Sequence, residues 1–207
     1  MSYFGYEIIV GIQLACIMTQ FVAIFIVYGQ KMGLLRDMKF LTCVSCIAVT
    51  VGYIWVLQGT EIHALQIAYK IYYAGVSAAP IFFLFAVHAL YERPIKNVVK
   101  IAIVAVGLCE QVFLYLDGLT YYLYTNARMG NNLIFCYLEA DRSGLYFVFR
   151  FYMIAVLASI VYVIYREKKE RIALGIYDQK VKRLNVKLGL ILALQMLALA
   201  VYELELT

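Results

Sequence analysis

Three ionisable residues stand inside apolar runs of this chain: Lys70, Glu110 and Arg150. A charge in hydrocarbon is costly, so it persists where it pairs, reaches water or serves a function. Lys70 and Arg150 each lie about six residues into their runs, roughly 9 Å of helix rise. Glu110 lies about 13 residues along a run of opposite direction, roughly 10 Å from the same surface. The spacing therefore predicts one acid and two bases from three helices at a single level. One carboxylate cannot neutralise two cations, which leaves a net positive site open to a carboxylate or phosphate. Gln111, beside Glu110, and the Gln13/Gln20 pair on one face supply amides that suit either a ligand or a neighbouring helix. The alternative is structural: Lys70 and Arg150 snorkel outward and Glu110 pairs with one of them.

Other chemistries find little support. His63 and His88, the two histidines, sit at opposite ends of one apolar run and cannot share a metal. His88 reads as a hydrogen-bonding residue at a helix end. Cys43-x-x-Cys46 lacks the α/β context of a redox motif and reads as small residues at a helix interface. Cys109 and Cys136 could approach each other, but sequence alone establishes no disulfide. No nucleophile–base set, phosphate loop or nucleic-acid module is recognisable, and Lys187 stands at a run's end, not mid-run where a retinal Schiff base would need it. The chain is read as neither an enzyme nor a cofactor protein.

The elements that must position the three charges follow from composition. Hydrophobic residues make up 65% of the 207 and charged residues only 15%, against about a quarter charged in soluble domains. The fold class expected is all-α, a polytopic transmembrane bundle forming one domain over 1–207. Six spans are predicted at about 6–28, 39–57, 64–90, 97–116, 144–165 and 185–203, each near the roughly 17–25 residues that cross hydrocarbon. MSYFGYE has no basic n-region, so no signal peptide is read there. The loops after spans one, three and five carry 14 of the 18 lysines and arginines. Positive loops stay cytoplasmic, which puts the N-terminus outside and the chain in the cell membrane as a multi-pass protein. Tyrosines and Trp55 near the span ends, Tyr72 and Tyr146 among them, read as interfacial anchors. The outer segment 117–143, aromatic and punctuated by Gly and Asn, is expected to form a lid or short hairpin. The basic inner segment 166–184 is expected as a loop near anionic lipid.

The third predicted span, AYKIYYAGVSAAPIFFLFAVHALY, carries the most specific pattern. Pro80 cannot donate to the Val76 carbonyl, so a bend is expected there. With Gly75 and Ser77 it could form a hinge, the alternative being a static kink. Lys70, Tyr73, Gly75, Pro80, Phe85, Ala86 and Tyr91 together resemble the third helix of the N-terminal seven-transmembrane sensory region of bacterial histidine kinases and diguanylate cyclases. The resemblance extends over the whole chain in hydropathy and loop plan. It implies a sensory domain that perceives a ligand and regulates a cytoplasmic kinase or cyclase output domain, in a parent that is a homodimer. Seven helices belong to that family and six are read here, so the chain resembles the region cut before its last span. The partners expected are the bilayer, a small anionic ligand and the output domain, with no nucleic acid. A small transporter or channel is the alternative, although the two halves do not repeat and only one half carries a mid-span proline.

Overall fold

The computed structural model describes residues 3–115, 124–131, 136–176, 179 and 182–190, with residues 3–6, 124–131 and 136–140 described as backbone. Helix α1 covers Tyr3–Tyr28, α2 Leu34–Gln58, α3 Ile62–Leu90, α4 Asn97–Phe113 and α5 Gly144–Ala173. Strands β1 (Tyr124–Asn131) and β2 (Cys136–Arg142) form one antiparallel hairpin with an irregularity between Thr125 and Arg128. The fold is thus all-α apart from a hairpin within the segment expected to supply one. Among the described residues four helices, α1, α2, α3 and α5, are long and apolar enough to cross a membrane. Predicted span four is a 17-residue helix, about 25 Å long. Predicted span six falls largely outside the described residues, of which 182–190 are helical.

Two compact units divide the chain within α5, Met1–Met153 and Ile154–Thr207. In the first, α2 packs against both α1 and α3, α3 also meets α4, and β2 lies against α2 and α3. The α2–α3 contact is the tightest, and glycine makes it possible. A Cβ on Gly52 would stand 2.5 Å from the Tyr72 backbone nitrogen, and one on Gly75 would stand 2.5 Å from the Ser45 carbonyl oxygen. Small residues let helix backbones approach where no hydrophobic effect drives them together. Gly75, expected as part of a hinge, is therefore accounted for by packing. Pro80 is buried inside α3, which continues through it.

Helix ends are set by local chemistry. Ser143 caps α5, its hydroxyl accepting from the Tyr146 backbone N–H at 3.3 Å, as expected of an N-cap serine. At the end of α3, the Arg93 N–H donates to the His88 carbonyl and the Glu92 N–H to the Ala89 carbonyl. Glu92 has φ 55°. This is the paired bond pattern of a left-handed helix cap, here without its usual glycine. His88 reinforces it, with Nδ1 donating to the Arg93 carbonyl oxygen at 2.9 Å, in keeping with its expected hydrogen-bonding place. Helix α5 ends with the same cap on Gly175, φ 69°.

In the second unit, α5 continues to Ala173, past the expected boundary at 165 and into the segment read as a loop. Ion pairs spaced four residues apart, Arg166 with Glu170 and Arg171 with Glu167, stabilise the added turns.

A methyl group at either glycine contact must push two backbones apart. Gly75→Ala is expected to lower stability by about 1–3 kcal/mol, the usual cost of overpacking. Ala78→Gly, at a half-buried position one turn on and adding no atoms, is expected to cost only about 1 kcal/mol from helix propensity. Melting in mild detergent compares them, and an unaltered midpoint for Gly75→Ala would contradict the backbone-to-backbone packing.

Candidate functional site

The polar interior of the first unit lies where α3, α4 and the start of α5 meet. Each helix contributes by its register. On α3, Tyr73 and Ser77 are one turn apart and both buried. Ser77 donates to the Tyr73 carbonyl at 2.8 Å and is also within hydrogen-bonding reach of the Glu110 carboxyl. On α4, Gly107 precedes Glu110 by one turn, and a Cβ there would strike Ile81 at 2.7 Å. That glycine lets α4 close on α3 and carries Glu110 inward, where it is 5% exposed. On α5, Tyr146 and Arg150 are again one turn apart. The Arg150 guanidinium lies 4.8 Å from the Tyr146 ring centre and 5.5 Å from that of Tyr73. It is the electrostatic neighbour of Glu110.

The α4–α5 contact holds this geometry. Tyr152 donates its hydroxyl proton to the Ile103 carbonyl oxygen at 2.6 Å, and the Phe113 and Phe149 rings lie 6.3 Å apart. An aromatic series extends the site sideways. Tyr53 on α2 adjoins Tyr72, which meets Tyr73 edge-on at 5.6 Å. On the other side the Arg142 guanidinium stands 5.4 Å from the Tyr146 ring, linking the end of β2 to the site. The hairpin and the interior are thus joined through two arginines on opposite turns from one tyrosine.

Of the residues singled out by sequence, Glu110 and Arg150 are brought together. Lys70 lies on α3, the helix whose Tyr73 and Ser77 meet them. It is half-buried on α3, seven residues before Ser77 and so on the same stripe, about 10 Å nearer the hairpin-side end of the helix. Lys70 is thus one turn from Tyr73, which meets Arg150, and two turns from Ser77, which meets Glu110. Gln111 adjoins Glu110, and its Nε2 is buried with no hydrogen-bond partner. Glu110 Oε2 is buried and unpartnered in the same way. Buried polar atoms ordinarily find partners, so these two mark a place where water or a ligand group completes the bonding. Gln20 Oε1 on α1 is also unpartnered.

Of the two tyrosines that flank Arg150, Tyr73 was legible in sequence as part of the third-span pattern, without this role. Tyr146 read as an interfacial anchor, although its spacing of four from Arg150 was visible and is the spacing that brings helix side chains together. Cys43, Cys46 and Cys109 are free thiols, and the side chain of Cys136 lies outside the described residues. No family model, curated protein or solved structure matches the chain.

Glu110 is buried and Arg150 is half-buried within its electrostatic reach, so removing either charge alters the surroundings of the other. Arg150→Met and Glu110→Gln are each expected to destabilise by about 1–3 kcal/mol, the cost of leaving a buried polar group without its neighbour. The double variant is expected to lose less than the two together, with a coupling of more than about 0.5 kcal/mol. Strict additivity in detergent melting would show that the two side chains do not interact.

Proposed function

We propose that this chain is a ligand-sensing membrane domain whose receiving site is the Glu110–Arg150 pair with Lys70 above it. The observation that carries the reading is the buried carboxylate oxygen of Glu110, left unpartnered next to the Gln111 amide. Such atoms are expensive in hydrocarbon and are retained where they work. In this reading the bundle crosses the bilayer six times with its N-terminus outside, the arrangement supported by the basic loops at the other surface. The hairpin then lies on the outer side, and Lys70 stands between it and the buried pair.

The charge arrangement favours a small ligand that is both anionic and rich in hydrogen-bonding groups. Its carboxylate or phosphate pairs with the half-buried Lys70. Its polar remainder reaches down to Glu110 Oε2 and Gln111 Nε2. Binding at this position bears on α3, α4 and α5 at once, and through Tyr146 on Arg142 at the hairpin. A change in their packing is the signal, and in a longer parent a cytoplasmic kinase or cyclase domain is the element it regulates, as the resemblance of the third span implies. Such a fold-level analogy supports the regulatory role without fixing it.

The reading is tested by melting the purified protein against a panel of small anionic metabolites and peptides. A ligand at a hundred times its dissociation constant is expected to stabilise by about 2.7 kcal/mol. Lys70→Met is expected to abolish the effect of the anionic group, and Gln111→Leu to weaken the polar remainder. If no compound shifts the wild type, or if shifts persist in both variants, the site is structural and the input lies elsewhere.

A further inference from the structure

An apolar concavity lies toward the other end of α3. It has a volume of about 850 Å³ and runs between the start of α2, the end of α3 and the outer face of α4. Its walls are apolar: Leu34 and Met38 on one side, Phe85 on the floor, and Ile101, Val104 and Leu108 on the other. Ile101 and Leu108 are 68% and 59% exposed, so the groove opens sideways along α4. From Lys100 to Leu108 it extends about 12 Å along that helix.

Charge is confined to one end. Arg93 and Lys100 line the groove there together with Glu92. The left-handed residue Glu92 follows the end of α3, and Arg93 and Pro94 after it line the groove, an arrangement held by the His88–Arg93 bonds. A smaller hollow of about 470 Å³ adjoins this end, sharing Leu34 and Ala89 and adding Lys31 and Arg36. Arg36 is paired with Asp37. Among the described residues four bases, Lys31, Arg36, Arg93 and Lys100, thus stand at this end with Glu92 and Asp37, a positive rim beside an apolar trough.

We infer that this groove binds an anionic phospholipid, one acyl chain lying along α4 and the phosphate resting against Lys100 and Arg93. An apolar trough open to the side is suited to a hydrocarbon chain arriving from the bilayer, and the positive rim complements a phosphate at the membrane surface. A volume of this size falls within the ordinary range of ligand sites. The inference requires that the helices lie in a bilayer and does not depend on the sensory role of the polar site.

Delipidated full-length protein in mild detergent is titrated with phosphatidylglycerol, phosphatidylcholine or a free fatty acid, and bound lipid is read by native mass spectrometry. Phosphatidylglycerol is expected to bind more tightly than phosphatidylcholine. Lys100→Gln is expected to weaken it about fivefold, the worth of one basic residue near an anionic surface. Lys96→Gln, an exposed neighbour outside the groove, is expected to change nothing. Ala105→Trp, which fills the trough, is expected to abolish binding; if that variant does not fold, the contrast between Lys100 and Lys96 decides. Equal affinity for the two phospholipids, or equal loss in both lysine variants, would overturn the inference. A fatty acid binding as tightly as phosphatidylglycerol with the same dependence on Lys100 would also overturn it, assigning the groove to a free acid.

Discussion

Hydrocarbon offers a buried charge no water, so the approach of Arg150 to Glu110 constrains everything around it. The carboxylate comes from α4 and the guanidinium from α5, and both must be brought to Ser77 and Tyr73 on α3. That requirement explains the small residue Gly107 one turn before Glu110, where a side chain would strike Ile81. It explains Tyr152, whose hydroxyl fixes α5 against the α4 backbone. The two aromatic faces flanking Arg150 add a cation–ring attraction worth about 2 kcal/mol or more where water is excluded. The α2–α3 pair supplies the rigid wall for this junction, because its backbones meet at Gly52 and Gly75 with no flexible side chains between them.

The two ends of α3 differ in kind. Toward the hairpin the interior is polar and aromatic, with Lys70 half-buried one turn from Tyr73. Toward the α3–α4 turn the interior gives way to an apolar trough with charge only on its rim. A polar solute and a lipid would thus be received at opposite ends of the same helix. Helix α3 is 29 residues long, about 43 Å, which is enough to carry both sites.

Much of the helical plan was legible in the sequence because membrane helices report themselves by length and hydropathy. The four long apolar helices coincide with predicted spans one, two, three and five. Ends were less legible. The 166–173 stretch read as a loop by its charge, yet acids four residues from arginines turn a charged stretch into helix. The candidate site was partly legible: Glu110 and Arg150 were found because charges in apolar runs are conspicuous. The place of Tyr73 and Tyr146 beside Arg150 was not legible, since tyrosine is common at both membrane surfaces and only packing distinguishes an anchor from a cation's partner.

The most direct measurement is the reactivity of a single cysteine at the junction. Ser77→Cys, with the five native cysteines replaced, would be exposed in sealed vesicles to a small charged thiol reagent from either face. A receiving site reached from the hairpin side predicts slow modification from that face and none from the other, with protection by any compound that raises the melting temperature. Inertness from both faces, in protein shown to be folded, would contradict the account and leave Glu110 and Arg150 as a closed structural pair.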